Sequence, residues 1–249
     1  MAIAHLNYFN KALKKEIGFY VLLPDRQDEP CPYPTFYLLH GLSDDYTAWL
    51  RWTSLEIYVR ELPLIVVLPD GDRCFYCDLE DGPAYETALV QDLVDFVDGY
   101  FPTIAEGGGR VIGGLSMGGY GAMKIGLKYP ERFCSVTAHS GVHALFHNKT
   151  PDDIDPALRK GLPTQETLQQ NDPFWLAEQI DPDDAPAIWI DCGLDDRLLQ
   201  HNHRLHDHLT KLGLAHEYHE FPGGHNWRYW DEHVEEAIAF HCRVLGINT

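Results

Sequence analysis

Two residues of this chain, Ser116 and His225, have the type and setting for acyl-transfer chemistry. Ser116 is the centre of Gly114-Leu115-Ser116-Met117-Gly118, a Gly-x-Ser-x-Gly pentapeptide. A serine hydroxyl is a weak nucleophile until a neighbouring base takes its proton. The chain has 14 histidines, so residue type alone selects none of them. His225 stands apart because it sits in a glycine-rich loop, Pro222-Gly223-Gly224-His225-Asn226-Trp227, just ahead of the last helical stretch. An acid to orient that imidazole is available at Asp191, Asp195 or Asp196, all near the end of one apolar run. The residues themselves leave these three open.

The elements around them are the ones such a site needs. Val111 and Ile112 precede the pentapeptide as a buried strand would, and the apolar residues of Gly121–Lys128 recur at helical spacing. Strand, sharp turn and helix make a nucleophile elbow. Gly114 and Gly118 leave room for a strained serine backbone, and Gly119 lets the helix approach the sheet.

The rest of the chain alternates between strands and helices. An antiparallel edge pair is expected over Leu6–Leu23, then a polar loop over Asp25–Pro34 and a strand at Thr35–His40. A helix near Ala48–Glu61, a strand at Leu62–Leu68 and an amphipathic helix over Tyr85–Tyr100 follow. Beyond the elbow come strands at Phe133–Ala138, Ala187–Cys192 and Ala215–Phe221, with helices at Leu198–Leu212 and about Tyr229–Leu245. This alternation predicts an α/β fold, a mostly parallel, doubly wound sheet with helices on both faces. Residues 141–180 break the rhythm. Leu145, Phe146, Phe174, Trp175 and Leu176 need burial there, so a small cap insertion in a single domain spanning 1–249 is expected.

The chain resembles the esterase D-like branch of the α/β-hydrolases: tributyrin esterases, S-formylglutathione hydrolases, feruloyl esterases and antigen 85 mycolyltransferases. Four pieces carry the resemblance: Leu38-Leu39-His40-Gly41-Leu42-Ser43, Gly114-Leu115-Ser116-Met117-Gly118-Gly119, Cys192-Gly193-Leu194-Asp195-Asp196 and Pro222-Gly223-Gly224-His225-Asn226-Trp227. The chain order serine, acid, histidine is the α/β-hydrolase order. The family pattern Cys-Gly-x-x-Asp, laid on Cys192-Gly193, selects Asp196 and leaves Asp195 as a loop residue. The resemblance further implies an oxyanion hole made by the backbone N–H groups of Met117 and Leu42; His40, which precedes that loop, reads as packing beneath it rather than as catalytic. It implies a serine carboxylesterase for short-chain acyl esters, working through an acyl-enzyme on Ser116 with no metal or organic cofactor. Trp49, Trp175 and Trp227 are expected to wall the acyl pocket. The alternatives are a thioesterase of the S-formylglutathione hydrolase type, a feruloyl or acetyl carbohydrate esterase, or an inactive binding module. The first subgroup usually reads Ser-Gly-Leu-Thr-Cys where this chain has His-Gly-Leu-Ser-Asp, which disfavours it.

Composition narrows the partners. A net charge of −19 disfavours nucleic acid and anionic membrane surfaces. No run of 18 apolar residues suggests a membrane span. The six cysteines form no disulfide framework, and Met1–Glu16 does not read as a signal peptide, so a cytoplasmic protein acting on a small-molecule ester is expected. Homo-oligomer formation is left open. Cys74-Phe75-Tyr76-Cys77 has no second ligand pair for zinc and reads as loop packing. His201, His203, His206 and His208 read as solvated helix residues, while His216 and His219 should point to opposite faces of a strand.

Overall fold

A computed structural model describes residues 1–25 and 31–247. Positions 26–30, within the loop expected at Asp25–Pro34, lie outside the described residues, as do 248 and 249. Eight strands form one sheet: β1 (Ala2–Asn10), β2 (Lys15–Leu23), β3 (Thr35–Leu39), β4 (Ile65–Pro69), β5 (Arg110–Leu115), β6 (Ser135–His139), β7 (Ala187–Gly193) and β8 (His216–Phe221). Their order is β1-β2-β4-β3-β5-β6-β7-β8. The β1–β2 and β2–β4 pairs are antiparallel; every other pair is parallel. The sheet is therefore the mostly parallel, doubly wound one that the alternation implied.

Alternate residues of a strand face opposite sides, and each side has its own helices. On β3, Tyr37 and Leu39 face a core shared with Met123 of α5 (Met117–Lys128) and with Leu205 and Leu209 of α9 (Leu199–Leu212). Phe36 and Leu38 face the other core. There they meet Trp49 of α1 (Ala48–Trp52), Leu55 and Val59 of α2 (Leu55–Val59), and Val234 and Ile238 of α10 (Trp227–Leu245). β3, β5, β6 and β7 are buried along nearly their whole length, which is why they read as apolar runs rather than alternating ones.

Two expected helices are interrupted. The helix expected near Ala48–Glu61 is two short helices, because Thr53 is extended (φ −135°, ψ 169°). Its hydroxyl donates to the Trp49 carbonyl at 2.5 Å and accepts the Leu55 N–H at 3.2 Å, and the Ser54 N–H donates to Asp231 of α10 at 2.6 Å. Local side-chain bonds of this kind compete with the helical ladder. The helix expected at Tyr85–Tyr100 is α3 (Tyr85–Thr87) and α4 (Val94–Tyr100) joined by a π-helical stretch, Ala88–Leu93. Asn10 of β1 donates to the Ala88 carbonyl at 3.2 Å, an outside donor at the start of the wide turn.

Residues 141–180 hold a 3₁₀ turn (Pro151–Asp153) and three short α-helices, α6 (Pro156–Arg159), α7 (Gln165–Gln169) and α8 (Pro173–Gln179). The apolar residues of this segment are largely buried, with Leu145 and Trp175 half-buried. Phe146, Ile154, Leu158, Leu162 and Leu168 cluster with Tyr120 of α5, and Phe174 and Leu176 join the main core. The insertion thus lies over the helix that Ser116 leads.

Candidate active site

Ser116, Asp196 and His225 each follow the C-terminal end of a parallel strand, β5, β7 and β8 respectively. Ligand sites of open α/β sheets form at that edge. Ser116 is the N-cap of α5 with φ 52° and ψ −111°, a backbone conformation rare for a residue with a side chain. Its surroundings over-determine it. Its N–H donates to the His139 carbonyl at 2.9 Å, and its carbonyl accepts from Tyr120 (3.0 Å) and Val142 (3.3 Å). A Cβ on Gly118 would lie 2.5 Å from the Leu39 carbonyl oxygen, so α5 can start this close to β3 only with glycine there.

The three side chains form one hydrogen-bonded line. Ser116 Oγ is 3.0 Å from His225 Nε2, and His225 Nδ1 is 2.9 Å and 3.1 Å from the two carboxylate oxygens of Asp196. The loops carrying Asp196 and His225 are stitched together: Leu194 donates to the Phe221 carbonyl at 2.9 Å and Asp195 to that of Gly223 at 2.8 Å. Asn226 caps α10 by accepting the Tyr229 N–H at 3.2 Å, which anchors the far side of the histidine loop. Trp230 packs edge-on against the His225 ring, with centroids 4.9 Å apart.

The environment separates the three candidate acids. Asp195 is exposed. Asp191 is fully buried, accepts the Tyr229 hydroxyl at 2.6 Å and has His139 Nδ1 2.6 Å from its other oxygen. Asp196 alone reaches His225. Burial pushes its carboxyl pKa up, but hydrogen bonds from His225, from the Leu198 N–H at 2.7 Å and from the Ser140 hydroxyl outweigh burial. The group is held below the usual aspartate range, so it is an anion where it faces the imidazole. Ser140 was not singled out in the sequence. It follows β6 with φ 50° and accepts the Trp230 indole N–H at 3.3 Å. A polar residue directly after a buried strand that adjoins the elbow strand is the signal that could have found it.

The loop after β3 faces the serine: a Cβ on Gly41 would sit 3.7 Å from that of Ser116. His40 is buried beneath this loop. Its Nδ1 is 2.8 Å from the Gly41 carbonyl and its Nε2 accepts the Gly71 N–H at 2.9 Å. Leu42 is partly exposed and lines a cavity of about 450 Å³. One wall of the cavity is the loop holding Asp72, Arg73, Cys74, Phe75 and Leu79; the other is the insertion, from Leu145 to Leu158.

None of the three expected tryptophans lines this cavity. Trp49 is buried, donates to the Leu39 carbonyl at 3.1 Å and meets Trp227 edge-on at 5.3 Å. Trp227 also meets Trp230 at 5.3 Å. Trp175 lies at a separate hollow with His147, Gln169 and Glu178. The helices carrying Trp49 and Trp227 pack on the face of the sheet opposite α5, and Trp175 of α8 packs half-buried against the main core.

The histidine-rich helix spends its side chains locally. His203 pairs with Glu220 at 2.5 Å, His206 with His216 at 2.8 Å, and His208 with the Phe174 carbonyl at 3.1 Å. Among the described residues, no three His, Cys, Asp or Glu side chains are arranged to hold a metal ion. His219 lies against Trp189, away from His216, as the strand alternation required. Cys74 and Cys77 flank a tight turn closed by a 3.0 Å bond from the Cys77 N–H to the Cys74 carbonyl. Among the described residues, no helix is long and apolar enough to cross a membrane.

Such a sheet, with an elbow serine hydrogen-bonded to a histidine from the last loop, defines an α/β-hydrolase. The Esterase family model matches residues 10–241. The chain belongs to that family and is a carboxylic ester hydrolase. It is 31% identical to an acetyl esterase of Caldicellulosiruptor saccharolyticus over 266 residues, covering 98% of this chain and 99% of that one. Among solved structures it is similar to FphF, a fluorophosphonate-binding serine hydrolase of Staphylococcus aureus, with a TM-score of 0.86, 30% identity and 98% of each chain covered. It is also similar to an S-formylglutathione hydrolase of Staphylococcus aureus, with a TM-score of 0.83, 28% identity and 98% of each chain covered.

Proposed function

We propose that the protein hydrolyses short-chain acyl esters through an acyl-enzyme on Ser116. The observation that carries this is the unbroken line from Ser116 Oγ through His225 to Asp196, with links of 3.0 Å and 2.9 Å. His225 Nε2 takes the hydroxyl proton as Oγ attacks the ester carbonyl. Asp196, held anionic, fixes the tautomer with the proton on Nδ1 and stabilises the imidazolium that forms. The carbonyl oxygen becomes an oxyanion, and the backbone N–H groups of Met117 and Leu42 receive it. Met117 is the first residue of α5, so its N–H has no partner within the helix. Each such donor contributes about 3 kcal/mol to the transition state. The imidazolium then returns its proton to the departing alcohol. Water, deprotonated by His225, attacks the acyl-enzyme, and the carboxylate leaves as Ser116 recovers its proton.

The cavity beside Leu42 would hold the acyl chain, with the insertion as its cap. The likeness to an acetyl esterase supports a small acyl group. The likeness to an S-formylglutathione hydrolase supports a second reading, thioester cleavage at the same serine. A cytoplasmic setting is supported by six cysteines that are all unpaired. A rate profile across acetate to palmitate esters, thioesters and feruloyl esters tests these readings. The proposal expects the highest kcat/KM from acetyl to butyryl esters; equal hydrolysis of palmitate would overturn it.

A further inference from the structure

α5 does more than present the nucleophile. Ser116, Tyr120, Lys124 and Lys128 recur every four residues and so share one face of the helix. Lys124 is fully buried. Its Nζ donates to the Tyr76 carbonyl at 2.5 Å, to Glu86 Oε2 at 2.7 Å and to Asn171 Oδ1 at 3.1 Å, and lies 3.6 Å from Cys77 Sγ. Glu86, also buried, takes Lys128 and the Tyr129 hydroxyl on its other oxygen, both at 2.6 Å. Tyr120 donates to the Asn171 carbonyl at 2.5 Å.

These bonds reach the two segments of chain that supply the walls of the cavity. Tyr76 and Cys77 belong to the turn whose Cys74 and Phe75 line one wall, and Asn171 belongs to the insertion that supplies the other. The turn needs holding, because Phe75 and Tyr76 both have positive φ, 52° and 53°. Such residues persist only where the surroundings over-determine them. Here Lys124 holds the Tyr76 carbonyl, while the Tyr76 hydroxyl donates to the His40 carbonyl at 3.0 Å. A buried ammonium is costly unless it is paired and hydrogen-bonded, so four close partners converging on one make a stiff joint.

We infer that Lys124 is a specificity-determining positioning residue. It draws the Cys74–Cys77 turn and the insertion onto the nucleophile helix and so sets the width of the acyl cavity. This rests on the reading of Ser116 as nucleophile and of the cavity as the acyl site.

The test compares kcat/KM for acetate and octanoate esters in wild type, Lys124→Met and Asn171→Leu, each shown to be folded by circular dichroism. A phosphonate titration of the active fraction normalises the rates. Loosened walls admit longer chains, so the octanoate-to-acetate ratio should rise about tenfold in Lys124→Met. The change should come mainly through KM for octanoate. Asn171→Leu, which frees only the insertion, should shift the ratio the same way by less. A ratio within about twofold of wild type in both variants overturns the inference, as does a fall in the ratio. If Lys124→Met does not fold, Asn171→Leu decides alone. Two controls isolate the underlying reading. Activity retained in Ser116→Ala removes the nucleophile, and an unchanged ratio in Leu145→Trp removes the cavity as acyl site; in either case the inference falls with it.

Discussion

His225 Nε2 lies 3.0 Å from Ser116 Oγ although 109 positions separate the two residues in the chain. Two loops converge to make that contact. One starts α5 at a strained serine, and the other is stitched to the Asp196 loop through the Gly223 and Phe221 carbonyls. The acid, rather than the serine, is where substitution discriminates most finely.

Asp196→Asn should lower kcat by about 10⁴, because an amide in place of the carboxylate favours the wrong imidazole tautomer. Asp195→Asn, at an exposed neighbour, should stay close to wild type. Steady-state kinetics on a chromogenic acetate decides between them. The opposite ranking would transfer the orienting role to Asp195.

A substitution in the cavity should separate chain length from chemistry. Leu145 is half-buried and lines the insertion wall. Leu145→Trp should cut kcat/KM for octanoate by about tenfold while leaving acetate nearly unchanged, since each excluded methylene costs of order 1 kcal/mol or more. An equal loss on both esters would mean that the side chain disturbs the serine line instead.

Acid should weaken the fold before it touches the carboxylates. His241 is fully buried between the Ser135 and Thr137 hydroxyls, at 2.8 Å and 3.0 Å. Burial first, and His139 second, push its pKa down from 6.5 to about 3. The folded state refuses a proton that the unfolded chain accepts below 6.5. The contribution of His241 to stability is therefore complete above that pH and is lost by about 1.4 kcal/mol per pH unit as the solution is acidified toward 3. Imidazole NMR should find His241 neutral at pH 5. A titration near 6.5 in the folded protein would refute this.

The legibility of this site in the sequence follows the range of the contacts. The elbow is local: a strand, a turn and a helix within about 20 residues, each with its own pattern. His225 and Asp196 were legible because each follows a strand directly and because the four motifs keep their chain order. The three aspartates could be separated only by a family pattern, and burial then agreed, with Asp191 engaged by Tyr229 and Asp195 in solvent. The cavity was not legible, since its walls come from residues 72–79 and 145–158 and meet only in three dimensions. Trp49 and Trp227 pack in the core on the far face of the sheet and Trp175 packs against the main core, placements that their spacing in the sequence does not encode. The role of Lys124 was not legible, because its partners Glu86 and Asn171 are 38 and 47 positions away. The split at Thr53 is also held by Asp231, which accepts the Ser54 N–H from 177 positions away.

Catalysis through a covalent intermediate on one serine can be read out by treating the protein with a phosphonate ester probe and mapping the adduct by peptide mass spectrometry. One adduct per chain is expected, on Ser116, with labelling abolished in Ser116→Ala and turnover lost in step with labelling. An adduct on another residue, or full turnover after Ser116 is labelled, would contradict it.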